Sequence, residues 1–254
     1  MVLLAVAVLG VSGCGGGGGE GPGAGRSDGA AQLRVSAAAS LKAAFEDLGR
    51  AGGGQPPSFS FAGSDQLAAQ IRAGGKPDVF AAANAKLPAQ LFADGLVERP
   101  VPFARNRLVI AVPAGEHGVV GIEDLARRGV RLAVGAKDVP IGSYTRDVLG
   151  RLPAATRRAI LANVRSEEPD VSGIVGKVAQ KAVTAGFVYA SDVKASGGKL
   201  TAVPLPQALQ PEVTYAVAVV RGARSAASAR SFVKDLLGPD GQGALRRAGL
   251  LPPP

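Results

Sequence analysis

The chain has 254 residues, a formal net charge of +9, 46% hydrophobic and 19% charged residues, 4% aromatics and no Trp. This is the composition of a globular protein of one large domain or two small ones, with an aliphatic, small-residue core. A single Cys (Cys14) and a single His (His117) exclude an internal disulfide, the usual zinc constellations and any Cys/His nucleophile pair. The basic charges are scattered and not interleaved with aromatics, which argues against nucleic acid and leaves a small anion or a membrane surface as the partner class.

Residues 1–13 are almost wholly apolar and carry no charge. Their length suits the h-region of a secretory signal and is too short to cross a bilayer. Val11-Ser12-Gly13-Cys14 resembles a bacterial lipobox, which implies cleavage before Cys14 and lipid attachment to its sulfur. No basic residue precedes the apolar run, a departure from the usual signal. Residues 15–31, glycine-rich and without apolar runs, read as a flexible tether with a root-mean-square reach of roughly 20–25 Å.

A short strand, Leu33 to Ala37, runs into Ser40, and Leu41, Ala44, Phe45 and Leu48 then mark one face of a helix. The second strand, Phe59 to Ala62, leads to Gly63-Ser64 and a helix with Leu67, Ala68 and Ile71 on one face, so strand, serine and helix occur together twice. Strands follow at Asp78 to Ala82 and Leu108 to Val112, with a helix from Leu87 to Gly95 between them. The second half is read as helix Ile122 to Arg128, strand Arg131 to Val134, and helices Tyr144 to Leu152 and Pro153 to Asn163. A further helix opens at Val171 with Asp170 as its cap. Strand Gly186 to Tyr189, a long strand Val213 to Val220 and closing helices Arg230 to Leu237 and Gly241 to Ala248 complete the chain. Strands alternating with helices predict an α/β fold with mainly parallel sheets. Ligands in such sheets sit beyond the carboxyl ends of strands. Ser40, Ser64, the turn Pro140-Ile141-Gly142, Val171 and Tyr189 all fall at such ends, where a neutral cage of N–H and O–H donors suits a small oxyanion.

In order along the chain, AAASL (37–41), FAGSDQLAAQI (61–71), PDVFAAAN (77–84), NRLVIAVP (106–113), RLAVGAKDVPIGSY (131–144), EEPDVSGIVGKV (167–178), GFVYASD (186–192) and YAVAVV (215–220) resemble the molybdate-binding proteins of bacterial ABC importers, the ModA family. The resemblance covers residues 32–250. It implies a two-lobed periplasmic-binding-protein fold with two crossing segments, lobe 1 at 32–111 plus 217–254 and lobe 2 at 112–216. It also implies a cleft in which the Ser40 and Ser64 hydroxyls, the Ile141 and Val171 backbone N–H groups and the Tyr189 hydroxyl hold molybdate, or tungstate, with no protein ligand to the metal itself. Plainer readings stand beside these: Ser40 and Ser64 as helix caps, Ile141 and Val171 as core, Tyr189 as a packed strand aromatic. Asp65 departs from the family's small hydroxyl residues and is expected to face solvent, and Ile141 replaces a smaller residue.

On this resemblance the chain is an exported lipoprotein, anchored through Cys14 at the outer face of the cytoplasmic membrane, that hands its anion to a membrane permease as a monomer and uses no cofactor. Other oxyanions, such as sulfate, thiosulfate or a phosphonate, are the rival ligands. An enzyme on this fold finds little support: porphobilinogen deaminase holds its cofactor through a cysteine, and a serine hydrolase needs a base that neither His117 nor Lys42 is placed to supply. A transcriptional effector domain would need an attached DNA-binding module.

Overall fold

A computed structural model describes residues 32–51 and 55–254. The expected signal (1–13), the lipidated Cys14 and the tether up to residue 31 lie outside the described residues.

The chain opens with β1 (Arg34–Ala38), a 3-10 turn (Ala39–Leu41) and α1 (Lys42–Ala51). It continues through β2 (Ser58–Ala62), α2 (Ser64–Arg72), β3 (Val79–Ala82), α3 (Lys86–Ala93) and β4 (Val101–Asn106). A second series follows: β5 (Leu108–Pro113), β6 (Leu132–Gly135), α4 (Pro140–Gly150), α5 (Ala154–Ala162), β7 (Val164–Glu168), α6 (Val171–Ala179), β8 (Ala185–Tyr189), α7 (Ala190–Ala195) and β9 (Leu200–Pro204). The chain then returns through β10 (Val213–Val219) to α8 (Ala226–Leu237) and α9 (Pro239–Arg247).

The strands make two five-stranded sheets, ordered β2-β1-β3-β10-β4 and β7-β6-β8-β5-β9. In each, four strands run one way and one is reversed. The reversed strands are β10, antiparallel to β3 and β4, and β5, antiparallel to β8 and β9. The mainly parallel α/β architecture expected from the sequence is therefore present twice.

The chain leaves the first sheet after Asn106, enters the second at Leu108 and rejoins the first at Val213. The expected boundaries 111/112 and 216/217 cut through β5 and β10. Leu108–Ala111 pair with β8, and Val213–Ala216 belong with β4 and β3. Hydrophobicity alone does not mark the crossing, because apolar strands lie on both sides of it.

Both faces of the first sheet are covered. Along β3, Val79 and Ala81 join one buried cluster with Phe45 of α1 and Phe232 of α8, while Phe80 and Ala82 join another with Leu67 and Ile71 of α2 and Leu91 of α3. Burial on both faces explains why β3 reads as an unbroken apolar run rather than an alternating one. Phe45 is the centre of the first layer, with ring contacts to Phe59, Phe103 and Phe232 at 5.8–6.2 Å.

Four elements were not anticipated: β4, β7, α7 and β9. Strand β7 reads VRSEE and lies at a sheet edge, partly exposed, so it lacks an apolar signature. The expected helix Ile122 to Arg128 is only a 3-10 turn, Glu123–Ala126.

Candidate functional site

The parallel strands of both sheets end at one cavity of about 20 Å³, lined among others by Ser40, Ser64, Ile141, Val171 and Tyr189. This is room for one compact species, on a scale where a single water takes roughly 10–15 Å³. The structure thus brings all five sequence-predicted residues together, two from the first sheet's side and three from the second's. Asp170 also lines the cavity, and no Lys, Arg or His does.

Neither serine caps a helix. Ser40 sits inside the 3-10 turn, whose cap, Ala38, makes no side-chain hydrogen bond. Its Oγ lies 2.9 Å from the Tyr215 hydroxyl. Ser64 is the first residue of α2, behind Gly63 as N-cap, and its Oγ accepts the backbone N–H of Ala83 at 3.1 Å. With that lone pair taken, the Ser64 proton is free to be donated into the cavity.

Ile141 lies in the first turn of α4, directly after Pro140. The close approach of this turn to the end of β6 needs glycine on both sides. A Cβ on Gly142 would meet the Ala136 carbonyl at 1.8 Å, and one on Gly135 would meet the Gly142 nitrogen at 2.6 Å. Arg146 braces the turn, donating to the Gly135 and Gly142 carbonyls and pairing with Glu167. The side chain of Ile141 is core, as expected; the first-turn N–H groups are the polar part of this segment.

At α6, the Asp170 carboxylate accepts the N–H groups of Ser172 and Gly173. The N–H of Val171, ahead of them, is left outside this cap. The sequence reading of Asp170 as the cap of α6 is borne out.

Tyr189 ends β8 and is 1% exposed, yet its hydroxyl has no hydrogen-bond partner. Burial, with Tyr215, Tyr144 and Asp192 nearby, pushes its ionisation well above the usual tyrosine value, so it keeps its proton. Its backbone N–H donates to Asp192, whose carboxyl is raised by burial to about 7.

Asp65 does not simply face solvent. It is half-buried at the start of α2, and its Oδ1 is shielded from water without a partner. Its carboxyl is raised, first by burial and further by Asp138 and Asp170. The first turn of α2 meets the loop after β7, and this contact encloses the side chain.

Sequence reasoning missed Tyr215 and Asn106. Both are fully or nearly fully buried polar residues behind Ser40. Asn106 closes β4, whose residues VPFARN are only partly buried, and Tyr215 is the third residue of the apolar strand β10, so neither stands out from its neighbours in sequence. His117 is exposed. Among the described residues no group of three or more His, Cys, Asp or Glu side chains is arranged to hold a metal ion.

Residues 33–251 match the family described as bacterial extracellular solute-binding protein. The molybdate-binding protein ModA of Mycobacterium tuberculosis (strain H37Rv) is 36% identical over 98% of this chain and 95% of its own length. The chain belongs to the ModA family of bacterial extracellular solute-binding proteins. Among solved structures, the periplasmic molybdate-binding protein of Azotobacter vinelandii superposes with a TM-score of 0.76 at 21% identity, covering 88% of this chain and 100% of that one. The substrate-binding domain of a putative molybdenum ABC transporter from Clostridium difficile gives a TM-score of 0.65 at 26% identity, covering 87% and 98%. In ModA family terms, the two sheets are the cores of a two-lobed binding protein, and the cavity lies at their facing strand ends.

Proposed function

We propose that the chain captures molybdate outside the cytoplasm, with tungstate bound by the same contacts, and delivers it unchanged to an ABC permease. The observation that carries this reading is the buried, unpartnered Tyr189 hydroxyl at a cavity that Ser40, Ser64 and the first turns of α4 and α6 also line. A tetrahedral dianion offers acceptors in every direction and satisfies all of these donors at once. Hydrogen bonds to a charged ligand are stronger than neutral ones, so a cage without a cation is sufficient to hold it.

Binding proceeds by encounter with separated lobes, closure about Arg107 and the segment before Val213, and enclosure of the anion. The lobes are 32–106 with 213–254, and 108–212. The five ligating residues are those anticipated: Ser40, Ser64, Ile141, Val171 and Tyr189. The protein acts as a monomer, without cofactor and without turnover, held at the membrane through a lipid on Cys14.

Isothermal titration of the purified protein with molybdate tests the reading. Tight one-to-one binding that excess sulfate does not displace is the expected result. Tighter binding of sulfate, or no molybdate heat, rejects the ligand.

A further inference from the structure

Asp65 follows Ser64 in the first turn of α2, on the first sheet's side of the cavity. Its Oδ1 is buried and receives no hydrogen bond from another group of the protein. The cover comes from the other lobe. A Cβ on Gly63 would lie 2.6 Å from the Pro169 carbonyl oxygen and 2.8 Å from Asp65 Oδ1, so two acceptors crowd one point where the lobes touch. Burial first, and then Asp138 and Asp170 of the second lobe, raise the Asp65 carboxyl above its ordinary value.

We propose that the Asp65 carboxylate opposes closure of the two lobes, and that a proton taken up from solvent as they meet relieves this opposition, so that capture of the anion is coupled to proton uptake. The inference rests on the oxyanion reading of this cavity. With the lobes apart, the carboxylate lies in water beside the first-turn N–H groups of Asp65 and Gln66, which favour its charged form. With the lobes together, it is desolvated and faces a carbonyl oxygen, two further acids and the captured dianion. Protonation removes the repulsion and gives the carboxyl a hydrogen to donate to the Pro169 carbonyl.

Among the described residues no lysine or arginine pairs with Asp65, Lys86 at the start of α3 and Lys137 beside Asp138 included. Arg72, at the other end of α2, pairs with Asp94 just past α3. The strands packed on α2 carry their charges, Arg34 on β1 and Asp78 before β3, at their amino ends, away from Ser64. Arg146 of α4 pairs with Glu167. The Asp170 carboxylate is held in place by the N–H groups of Ser172 and Gly173. Nothing cationic therefore offsets the three acids where the lobes meet. The closed form holds a proton that the open form gives up. Affinity for the anion is greatest on the acid side, falls as pH rises from about 4 through the raised value of Asp65, and is level above it.

The test compares the parent with Asp65→Asn, which keeps the shape, removes the charge and offers an amide N–H to the Pro169 carbonyl. Kd values for dilute molybdate are measured from pH 5 to pH 8. At pH 8 the variant should bind roughly 5- to 150-fold more tightly, the effect of relieving one buried unpaired polar atom. Loss of a merely supporting residue would weaken binding, so the sign separates the two roles. The advantage of the variant should shrink as pH falls, because the parent then acquires its proton. A variant that binds as the parent does or more weakly at pH 8, or an advantage that does not shrink on acidification, would overturn the proposal.

Proton counting on the parent needs no substitution. Titration calorimetry at pH 5 in two buffers of different ionisation heat gives the number of protons bound on capture. Uptake by the parent that Asp65→Asn lacks is the expected result. No uptake, or equal uptake by both proteins, would overturn the proposal. Asp65→Ser, which removes the charge without adding an amide donor, must also bind more tightly at pH 8. A parent that binds neither molybdate nor sulfate would reject the oxyanion reading itself and the proposal with it, an outcome distinct from tight binding without proton uptake.

Discussion

Replacing Tyr189 by Phe separates a ligand group from a structural one, because the two roles give opposite signs. The Tyr189 hydroxyl is buried and makes no hydrogen bond to another group of the protein. Its removal takes away a desolvated polar group at a cost of no hydrogen bond, and relief of about 1–3 kcal/mol is the scale for such a group. The ring contacts to Tyr144 and Tyr215, at 6.4 and 5.9 Å, remain. The free protein should therefore melt at an equal or higher temperature, by roughly 2–4 °C per kcal/mol for a chain of this size. Molybdate binding should weaken, since a hydrogen bond to a charged group is worth about 1.5–3 kcal/mol, or roughly 10- to 150-fold in Kd. Differential scanning calorimetry without ligand and titration calorimetry with molybdate measure the two effects. A free protein several degrees less stable, with ligand affinity unchanged, would refute the assignment of Tyr189 to the cage.

Gly63→Ala tests closure. Gly63 has φ −57 and ψ 135, which alanine adopts freely, yet its Cβ would lie 2.6 Å from the Pro169 carbonyl of the loop after β7. Titration should show molybdate affinity reduced by roughly 5- to 150-fold, the effect of 1–3 kcal/mol of overpacking, and the free protein, in which the same contact is made, should melt a few degrees lower. Ser64→Ala leaves the Ala83 N–H without its acceptor, so urea unfolding should show a loss of about 1–3 kcal/mol in addition to weaker anion binding. Asp192→Asn addresses pH. The Asp192 carboxyl is raised by burial to about 7, so the folded protein holds the proton more tightly than the unfolded chain. Its contribution is complete below the unfolded value near 4, falls as pH rises through the interval between 4 and 7, and is gone above 7. Thermal melts of Asp192→Asn should lose that part of the slope and show a higher melting temperature than the parent at pH 8, with the asparagine Oδ1 still accepting from Tyr189.

The parts of the fold written in apolar periodicity were legible: β1 to β3, β5, β6, β8 and β10, and the helices with one apolar face. The edge strand β7 and the short α7 were not, because their residues are polar or few and their form depends on neighbours distant in sequence. The five residues around the cavity were legible through strand ends and the ordered motifs that resemble the ModA family. What the hydroxyls bond to was not. Ser40 and Ser64 look like helix caps in sequence, and only the packed strands show Tyr215 and Ala83 as their partners. Asp65 was misjudged for a related reason: the loop that shields it comes from more than a hundred residues further on.

The place of β10 within the first sheet bears on the order in which the chain folds. Strands β5 to β9 form the second sheet from one continuous stretch, while the first sheet has β10 wedged between β3 and β4. A chain emerging amino end first can complete the second sheet on its own, but β1 to β4 must wait for Val213–Val219 before their central gap closes. Closing so long a loop is slow. The amino-terminal half is therefore the last to become rigid, and the serine turns at its strand ends take their final form only when the carboxyl-terminal segment has docked.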